Sequence, residues 1–281
     1  MLKHFKLLLI LSLSLLSLTS FAALNDYNVA TWNLQGSSAS SESKWNINVR
    51  QLITGRDSAD ILMIQEAGTL PLSAVPTGRV IQPVGVGTPI HEYTWNLGTS
   101  SRPNNVFIYY SRLDVGANRV NLAIVSRFRA EEAFVIHPTT AVLQARPAIG
   151  IRIGTDVFFS VHALATGGTD AVSLIHNVNA FFSEDATRRG YSWMLVGDFN
   201  RSPTNLQSAL RADPGVDNHT LIVAPTEPTH RSGNILDYAI LHNATGHEAQ
   251  LNIGASIMFN QLRSQITSDH YPVSFIKDRK K

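Results

Sequence analysis

The chain has 281 residues, and 44% of them are hydrophobic, which is enough to bury a sizeable core. Its 23 basic and 21 acidic residues nearly balance, so net charge alone gives no reason to expect a nucleic-acid partner. The absence of cysteine excludes thiol catalysis, thiolate-bound zinc and a disulfide-linked partner.

The first 22 residues have the pattern of a signal peptide. Lys3 and Lys6 make a basic start, residues 7–18 are apolar apart from serines, and Ser20-Phe21-Ala22 forms a small-x-small cleavage site. The apolar run is too short for a membrane span, which needs about 20 residues. We therefore predict a secreted protein. Residues 23–281 contain no repeat, linker or change of composition, so we predict a single catalytic domain there.

The mature chain takes most of its positive charge from arginine. Of the 21 basic residues in 23–281, 17 are arginine and only 4 are lysine. Arginine binds phosphate and carboxylate groups through two parallel hydrogen bonds, which lysine cannot do. The composition therefore suits the recognition of phosphate or carboxylate groups.

Hydrophobic periodicity predicts many short strands and a few helices. Strands are predicted over residues 29–34, 61–66, 106–110, 120–125, 148–153, 156–162, 193–198, 235–241 and 271–276. Helices are predicted over 44–53, over 170–182 with Thr169 or Asp170 as the N-cap, and over 203–211. The proline- and glycine-rich stretch 71–89 is predicted as a loop that contains at most a short strand.

Polar residues stand at one end of most of these strands. In the clearest case the apolar run 193–196 is followed by Gly197, Asp198 and Asn200. Side chains alternate along a strand, so Asp198 and Asn200 point to the same side. Taken alone, this stretch is better explained by a strand-ending turn, since Asp and Asn are common turn residues. The other strands supply Asn33, Glu66, His162, Asp269 and His270, and we predict that all these side chains converge at one edge of a sheet.

A cluster of this kind predicts a metal site. Glu66, Asp198 and Asp269 would crowd negative charge, which is costly unless a cation binds between them. Carboxylate and amide oxygens are the ligands of Mg²⁺, for which Mn²⁺ is a substitute. Mg²⁺ usually takes one or two carboxylates, so Glu66 with Asn33 is sufficient for a site, with Asp269 near it or orienting His270.

Two histidines fit general acid–base catalysis, because the unperturbed pKa of histidine lies near neutral pH. These are His162 and His270, and Asp237 in a neighbouring strand is the natural candidate to orient the His270 ring. A structural or exposed role remains the alternative for any one of the ten histidines.

Two arginines flank predicted strands and are candidates to clamp phosphate groups. Arg112 follows the strand at 106–110, and Arg146 precedes the strand at 148–153. An exposed strand-flanking charge is the alternative for both, because most arginines lie at the surface.

Six short motifs occur in the order and spacing of a known family. They are Thr31-Trp32-Asn33, Gln65-Glu66, Val161-His162, Gly197-Asp198-Phe199-Asn200, Leu236-Asp237-Tyr238 and Ser268-Asp269-His270. Together they resemble the metal-dependent endonuclease/exonuclease/phosphatase superfamily over the whole mature chain. Val161-His162 followed by Asp170-Ala171-Val172 is similar to the deoxyribonuclease I branch. In that branch a carboxylate ahead of the strand at Val106 pairs with the first histidine, whereas Pro103-Asn104-Asn105 stand here.

Three longer stretches resemble the catalytic B subunits of bacterial cytolethal distending toxins nearly residue for residue. They are residues 30–38, 109–116 and 229–238. The resemblance implies an α/β (α+β) fold, a four-layer sandwich of two packed, mostly antiparallel sheets flanked by helices. It also implies Mg²⁺-dependent cleavage of host DNA inside the host cell, in the nucleus, after delivery by the A and C subunits of a heterotrimer.

Each candidate residue then has an expected role. Glu66 and Asn33 would hold the metal, with Asp269 beside it. Asp198 and Asn200 would position the attacking water and the scissile phosphate. His162 and His270 would handle protons, Asp237 would orient His270, and Arg112 and Arg146 would clamp phosphates.

Three other functions remain open at this point. The same site could dephosphorylate phosphatidylinositol trisphosphate, as phosphatase relatives do. A secreted binding module with a dead site would have no reason to keep acids and histidines in every motif. A secreted sphingomyelinase is less favoured, because the sequence lacks an evident aromatic hairpin for membrane docking.

Overall fold

The computed structural model describes residues 23–37, 41–55, 57–81, 88–114, 116–212, 214–245, 251–258 and 267–278. The predicted signal peptide, residues 1–22, lies outside this part of the chain. None of the helices described there is long and apolar enough to cross a membrane.

Fourteen strands are present in the described residues. In chain order they are β1 (Val29–Asn33), β2 (Ile61–Gln65), β3 (Ala74–Ile81), β4 (Ile90–Asn96), β5 (Asn105–Ser111), β6 (Leu122–Ser126), β7 (Glu132–Ile136), β8 (Ala148–Ile153), β9 (Asp156–His162), β10 (Ser192–Asp198), β11 (Leu221–Val223), β12 (Asp237–His242), β13 (Ile253–Ile257) and β14 (Val273–Lys277). They form an eight-stranded sheet in the order β13-β14-β1-β2-β6-β5-β4-β3 and a six-stranded sheet in the order β11-β12-β10-β9-β8-β7.

The helices are short. They are α1 (Ser41–Ser43), a π-helical segment (Lys44–Val49), α2 (Arg50–Thr54), α3 (Ala171–Ser183), α4 (Pro203–Leu210) and α5 (Pro214–Asp217), with a 3₁₀ turn at Leu24–Asp26. Ser202 caps α4 by accepting a hydrogen bond from the Asn205 amide, and Pro203 occupies the first turn, where a missing N–H costs nothing.

Three apolar clusters hold the layers together. One lies between the sheets and contains side chains from both, for example Met63 and Met194. A second packs the outer face of the first sheet against Trp45 and its helical neighbours, and a third packs the outer face of the second sheet against α3. The order is therefore helices, sheet, sheet, helices, which confirms the predicted four-layer sandwich.

Each sheet contains one parallel pair of strands, at its centre. β1 pairs with β2 so that Asn33 lies opposite Gln65, and β9 pairs with β10 so that His162 lies opposite Asp198. All other pairings among the described strands are antiparallel. Parallel strands end at the same edge, and the two central pairs pack against each other. Their polar ends consequently meet.

A buried polar bridge links the sheets just below that edge. The Gln65 amide accepts a hydrogen bond from Thr31 Oγ1 at 3.1 Å and donates one to Ser160 Oγ at 3.0 Å. Because both hydrogen-bonding ends of the Gln65 amide are satisfied, burying this polar group carries little penalty.

All nine predicted strands are present, and the five strands that the pattern missed are the four sheet edges and β4, which lies next to an edge. The loop predicted over 71–89 contains the whole of the eight-residue strand β3, whose burial does not alternate because it is an edge strand with a register shift between Pro76 and Val80. β4, β7, β11 and β13 were also not predicted. Asp170 is the N-cap of α3, but its side chain accepts from the Leu164 amide and does not cap the helix.

Gly197 stands directly before Asp198 at a φ of +150°, where a Cβ would lie 2.1 Å from Val161 O. We expect Gly197→Ala to reduce the free energy of unfolding by at least about 1–3 kcal/mol, the cost of such a backbone conformation in a non-glycine residue. Urea denaturation followed by circular dichroism measures this. Gly190→Ala is the control, because a Cβ there meets nothing within 4 Å, and it should stay within about 0.5 kcal/mol. Equal losses at both positions would contradict this explanation.

Candidate active site

Asp198 lies at the centre of the converging strand ends and is only 1% exposed. Its carboxylate accepts hydrogen bonds from Asn33 Nδ2 at 3.0 Å, from the Asn200 backbone amide at 2.8 Å and from Asn200 Nδ2 at 3.3 Å. Burial raises the pKa of Asp198 to about 7, with a further contribution from the charge of Asp237. A carboxyl with this pKa can accept and release a proton near neutral pH.

His270 forms a buried pair with Asp237, the first residue of β12. The distance between His270 Nδ1 and Asp237 Oδ2 is 2.8 Å, and His270 Nε2 lies 3.6 Å from Asp198 Oδ2. Burial alone would lower the pKa of His270, but the carboxylates of Asp237, Asp198 and Asp269 outweigh it and raise the pKa to about 9. The imidazole is therefore protonated at neutral pH.

His162 ends β9 on the other side of Asp198. Its Nε2 lies 3.6 Å from Asp198 Oδ2 and 3.7 Å from Glu66 Oε1. Burial lowers the pKa of His162 well below its usual value, and the positive charges of Arg146 and His270 lower it further. In the described part of the chain the buried Nδ1 has no hydrogen-bond partner, so no carboxylate orients this ring.

Glu66 directly follows β2 in a left-handed conformation, with a φ of +45°. This turn brings Glu66 Oε1 to 3.4 Å from Asn33 Nδ2. Burial raises the pKa of Glu66, and the hydrogen bond from Asn33 partly offsets that increase. A left-handed conformation is uncommon for a residue other than glycine and is often found at functional sites.

Asp269 approaches the same nitrogen of His270 as Asp198 does. Its Oδ1 is 3.9 Å from His270 Nε2, and its Oδ2 is 3.4 Å from His230 Nε2. Asp269 therefore faces two histidine rings, while Asp237 holds the other nitrogen of His270.

The donor atoms present suit a divalent cation. Asp198, Asp237 and His270 each bring a polar atom within 4.8 Å of the others, as do His230, Asp269 and His270, and in its protonated form His270 is not itself a ligand. Glu66 and Asp198 have raised pKa values because their negative charges are buried, and a cation would relieve that cost. The residues thus fit a metal ion in this part of the site.

The two predicted phosphate clamps lie in different environments. Arg146 is half-buried, donates from Nη2 to Ala163 O at 2.6 Å, and interacts electrostatically with Glu66 and Asp198. Arg112 is exposed, donates to Asn118 Oδ1 at 3.2 Å, and places its charge near Asp114. Of the two, Arg146 is the one that acts on the central carboxylates.

Sequence reasoning missed three residues around the site. Arg119, in the same loop as Arg112, contributes a positive charge that lowers the pKa of Glu66. Lys44 donates to the carbonyls of Leu34 and Gln35 at 2.8 Å, behind Asn33. The His230 ring packs edge-on against His270 with ring centroids 4.6 Å apart. His230 could have been found from sequence, because it lies within residues 229–238, one of the three stretches that resemble the toxin B subunits.

The fold and the site together define a class. A four-layer sandwich with acid, amide and histidine side chains gathered where its central strands end is a deoxyribonuclease I-like phosphodiester hydrolase. The model of the Endonuclease/Exonuclease/phosphatase family matches residues 30–270, and the chain belongs to that family.

Closer relatives are named as toxin subunits. The chain is 52% identical over 270 residues to a homolog, from Salmonella typhi, of the cytolethal distending toxin B subunit, covering 95% of this chain and 96% of the relative. It is similar to chains in the crystal structures of the cytolethal distending toxins of Haemophilus ducreyi and Actinobacillus actinomycetemcomitans. Each of these two chains is 70% identical in sequence to this one and superposes with a TM-score of 0.87. The match covers 92% of this chain and 100% of the other chain. Within its family the chain belongs with the cytolethal distending toxin B subunits.

The Asp237–His270 pair predicts a pH dependence of stability. The pKa of His270 in the folded protein, about 9, exceeds the usual 6.5, so protonation of this residue stabilises the fold. That contribution is complete below pH 6.5 and is lost as the pH rises through about 9. Between pH 7.5 and 9.5 we expect the free energy of unfolding to fall by on the order of 2 kcal/mol. Asp237→Asn removes the partner carboxylate and should flatten this slope. Urea denaturation in EDTA at pH 7.5 and 9.5 measures the free energy of unfolding of both proteins. An equal change with pH in the unaltered protein and in Asp237→Asn would refute this explanation.

Proposed function

We propose that this protein is the catalytic subunit of a secreted bacterial genotoxin and a metal-dependent endonuclease that hydrolyses phosphodiester bonds in host DNA. Family membership supports the phosphodiester hydrolase class. One observation carries the mechanism: Asp198 Oδ2 lies 3.6 Å from Nε2 of both His162 and His270, whose pKa values are shifted in opposite directions. Titratable groups separated in this way divide acid and base work.

His270 is the cationic group of this mechanism. Asp237 holds Nδ1, so the proton on Nε2 faces the site and can donate to a phosphate oxygen. The imidazolium charge stabilises the negative charge that develops on the phosphate in the transition state. Asp237 acts through His270 and is a positioning residue.

Asp198 and His162 are the proton acceptors. Asn33 and Asn200 fix the Asp198 carboxylate in one orientation, and its pKa of about 7 suits withdrawal of a proton from the attacking water. His162 remains neutral beside it because of burial. Asn200 would also bind the scissile phosphate, with Arg146 as the principal clamp and Arg112 contacting the more distant backbone.

Glu66 and Asn33 would hold the metal, with Asp269 beside it, and Mg²⁺ is the ion we propose, with Mn²⁺ as a substitute. When bound, the ion would withdraw charge from the phosphate. The distance of 3.7 Å between Glu66 Oε1 and His162 Nε2 supports this assignment, because it puts the carboxylate beside the proposed proton-handling groups.

Membership of the family supports a proposal for the biological setting. We propose export by the signal peptide over residues 1–22, assembly with A and C subunits in a heterotrimer, and action in the nucleus of the host cell. The toxin-subunit names of the relatives support assembly into a multi-subunit toxin.

The first test is metal-dependent nicking of supercoiled plasmid by residues 23–281. We expect nicking with Mg²⁺ and none in EDTA. His270→Gln keeps a donor for Asp237 but cannot carry a proton, and turnover should fall roughly 10²–10⁴-fold. Asp237→Asn should behave similarly, and the double variant should be little worse because the pair acts as a unit.

The stability of each variant must be measured in parallel, because His270 is only 6% exposed although it stands near a strand end. Substitution of a buried residue can lower stability as well as activity. His219→Ala, at an exposed histidine, is the control and should retain full activity. Full nicking by His270→Gln would refute the mechanism. Faster turnover of phosphatidylinositol trisphosphate than of plasmid would reassign the substrate to a phosphoinositide.

Glu66→Gln tests the metal assignment. Loss of the carboxylate charge should weaken Mg²⁺ binding, so nicking should require more Mg²⁺ and should partly recover at high concentration. Titration of Mg²⁺ against the nicking rate measures the half-saturating concentration. Glu42→Gln, at an exposed carboxylate, is the matched control. An unchanged half-saturating concentration in Glu66→Gln would remove Glu66 from the metal site.

A further inference from the structure

A polar cleft adjoins the candidate active site on the side of Asn200. It has a volume of about 460 Å³, and its walls include Gly167, Arg201, Asn205 and Asn234. Asn200 lines the cleft and also hydrogen-bonds to Asp198 in the site, so the two spaces share a wall. A substrate that runs through the site can therefore continue into the cleft.

The charge of the cleft is the reverse of that of the active site. No aspartate or glutamate is among the described residues that line it, and Arg201 is its single charged residue. Arg201 is half-buried, and its guanidinium forms no hydrogen bond or ion pair with the residues that the structure describes. A half-buried cation without an acidic partner favours an anion from outside the chain.

The backbone of Arg201 is held firmly in place. The Tyr238 hydroxyl donates to Arg201 O at 3.0 Å, and the buried Tyr238 ring stacks on Phe199 with centroids 4.4 Å apart. On the opposite side the chain passes so close at Gly168 that a Cβ there would lie 3.0 Å from Arg201 Cβ and 2.1 Å from Phe199 O. Only the long side chain of Arg201 is therefore free to adjust to a ligand.

The donors around Arg201 are neutral amides and hydroxyls. Asn205 and Asn234 are exposed at the cleft, and Asn234 Nδ2 donates to Ser232 Oγ at 2.9 Å. The Ser202 hydroxyl already caps α4 and is not counted as a ligand group. An arginine beside side-chain amides matches the oxygens of a phosphodiester, which carries one negative charge.

We propose that this cleft is a subsite for a DNA backbone phosphate next to the scissile one, and that Arg201 is the residue that binds it. The proposal rests on the proposed nuclease function for the identity of the ligand. Arg146, which donates to the same Ala163 carbonyl as Asn200, and Arg201 in the cleft then contact different phosphates of the strand. Such a contact binds the substrate and its transition state equally, so it contributes to affinity and not to the chemical step.

Binding measured without turnover tests the subsite independently of catalysis. In EDTA, the anisotropy of a fluorescein-labelled duplex oligonucleotide is followed at increasing NaCl for the unaltered mature chain and its variants. Arg201→Ala should weaken binding about tenfold and reduce the slope of log affinity against log salt by about 1. Arg201→Lys should restore the slope, because it restores the charge.

Arg211→Ala is the matched control, because Arg211 is an exposed arginine at the other end of α4 and does not line the cleft. It removes the same charge and should leave the salt slope unchanged. An unchanged slope in Arg201→Ala, or equal losses in both variants, would overturn the proposal. Arg201-dependent displacement of the duplex by inositol tetrakisphosphate at micromolar concentration would also overturn it, in favour of a lipid headgroup.

Kinetics separate this subsite from the catalytic residues. With Mg²⁺, Arg201→Ala should raise KM for the duplex about tenfold with kcat unchanged. Cleavage of a dinucleotide, which has a single phosphodiester, should be unaffected by the change, and an equal defect on the dinucleotide would overturn the proposal.

If the unaltered protein binds DNA through Arg201 but never cleaves it, the proposed function fails and the subsite stands. If the unaltered protein does not bind DNA, both fail.

Discussion

The burial of Asp198 is the constraint on which the rest of the site depends. A carboxylate that is 1% exposed pays a large desolvation cost, and Asp237, whose charge adds to that cost, is itself buried. The surroundings offset it with amide donors from Asn33 and Asn200 and with the positive charge of His270. These groups come from β1, from the turn after β10 and from the segment before β14, so the site forms only when both sheets are in place.

The two histidines beside Asp198 differ in their pKa values and hence in their protonation. Both rings lie 3.6 Å from the same carboxylate oxygen, and both are buried, yet their pKa values move in opposite directions. The cause lies at the other ring nitrogen: Asp237 hydrogen-bonds His270, whereas His162 faces Arg146 and has no carboxylate behind it in the described part of the chain. A neutral and a cationic imidazole in one site suit the acid and base roles that we propose for them.

The charged side chains of the site are arranged in two zones. The centre of the site contains carboxylates that favour a cation, while arginines stand around it, Arg146 among the central residues and Arg201 in the adjoining cleft. The chain is nearly neutral overall, so under the proposed function the few arginines at the site would have to supply the local positive charge that DNA binding needs.

Strands that are buried on both faces could be found from sequence, because their apolar runs are unbroken. Met63 points between the sheets and Leu62 points to the outer helices, so every position in β2 is apolar until the chain reaches Gln65. The edge strand β3 gave no such signal, because most of its residues are exposed and a register shift interrupts the alternation. Unbroken apolar runs mark the central strands, whereas the missed strands lie at or next to a sheet edge and are only partly buried.

The sequence by itself determined the central strands, the polar residues that end them and the family that its motifs resemble, and the sandwich followed only from that resemblance. Those features are local: apolar runs, strand-ending polar residues and short motifs in a fixed order. Only the tertiary structure decided which charges act together, such as Arg119 on Glu66, His230 on His270, and Arg201 in a cleft without acids. The physical reason is that a pKa and a charge environment depend on distance and burial, and residues far apart in the chain become neighbours only when the two sheets pack.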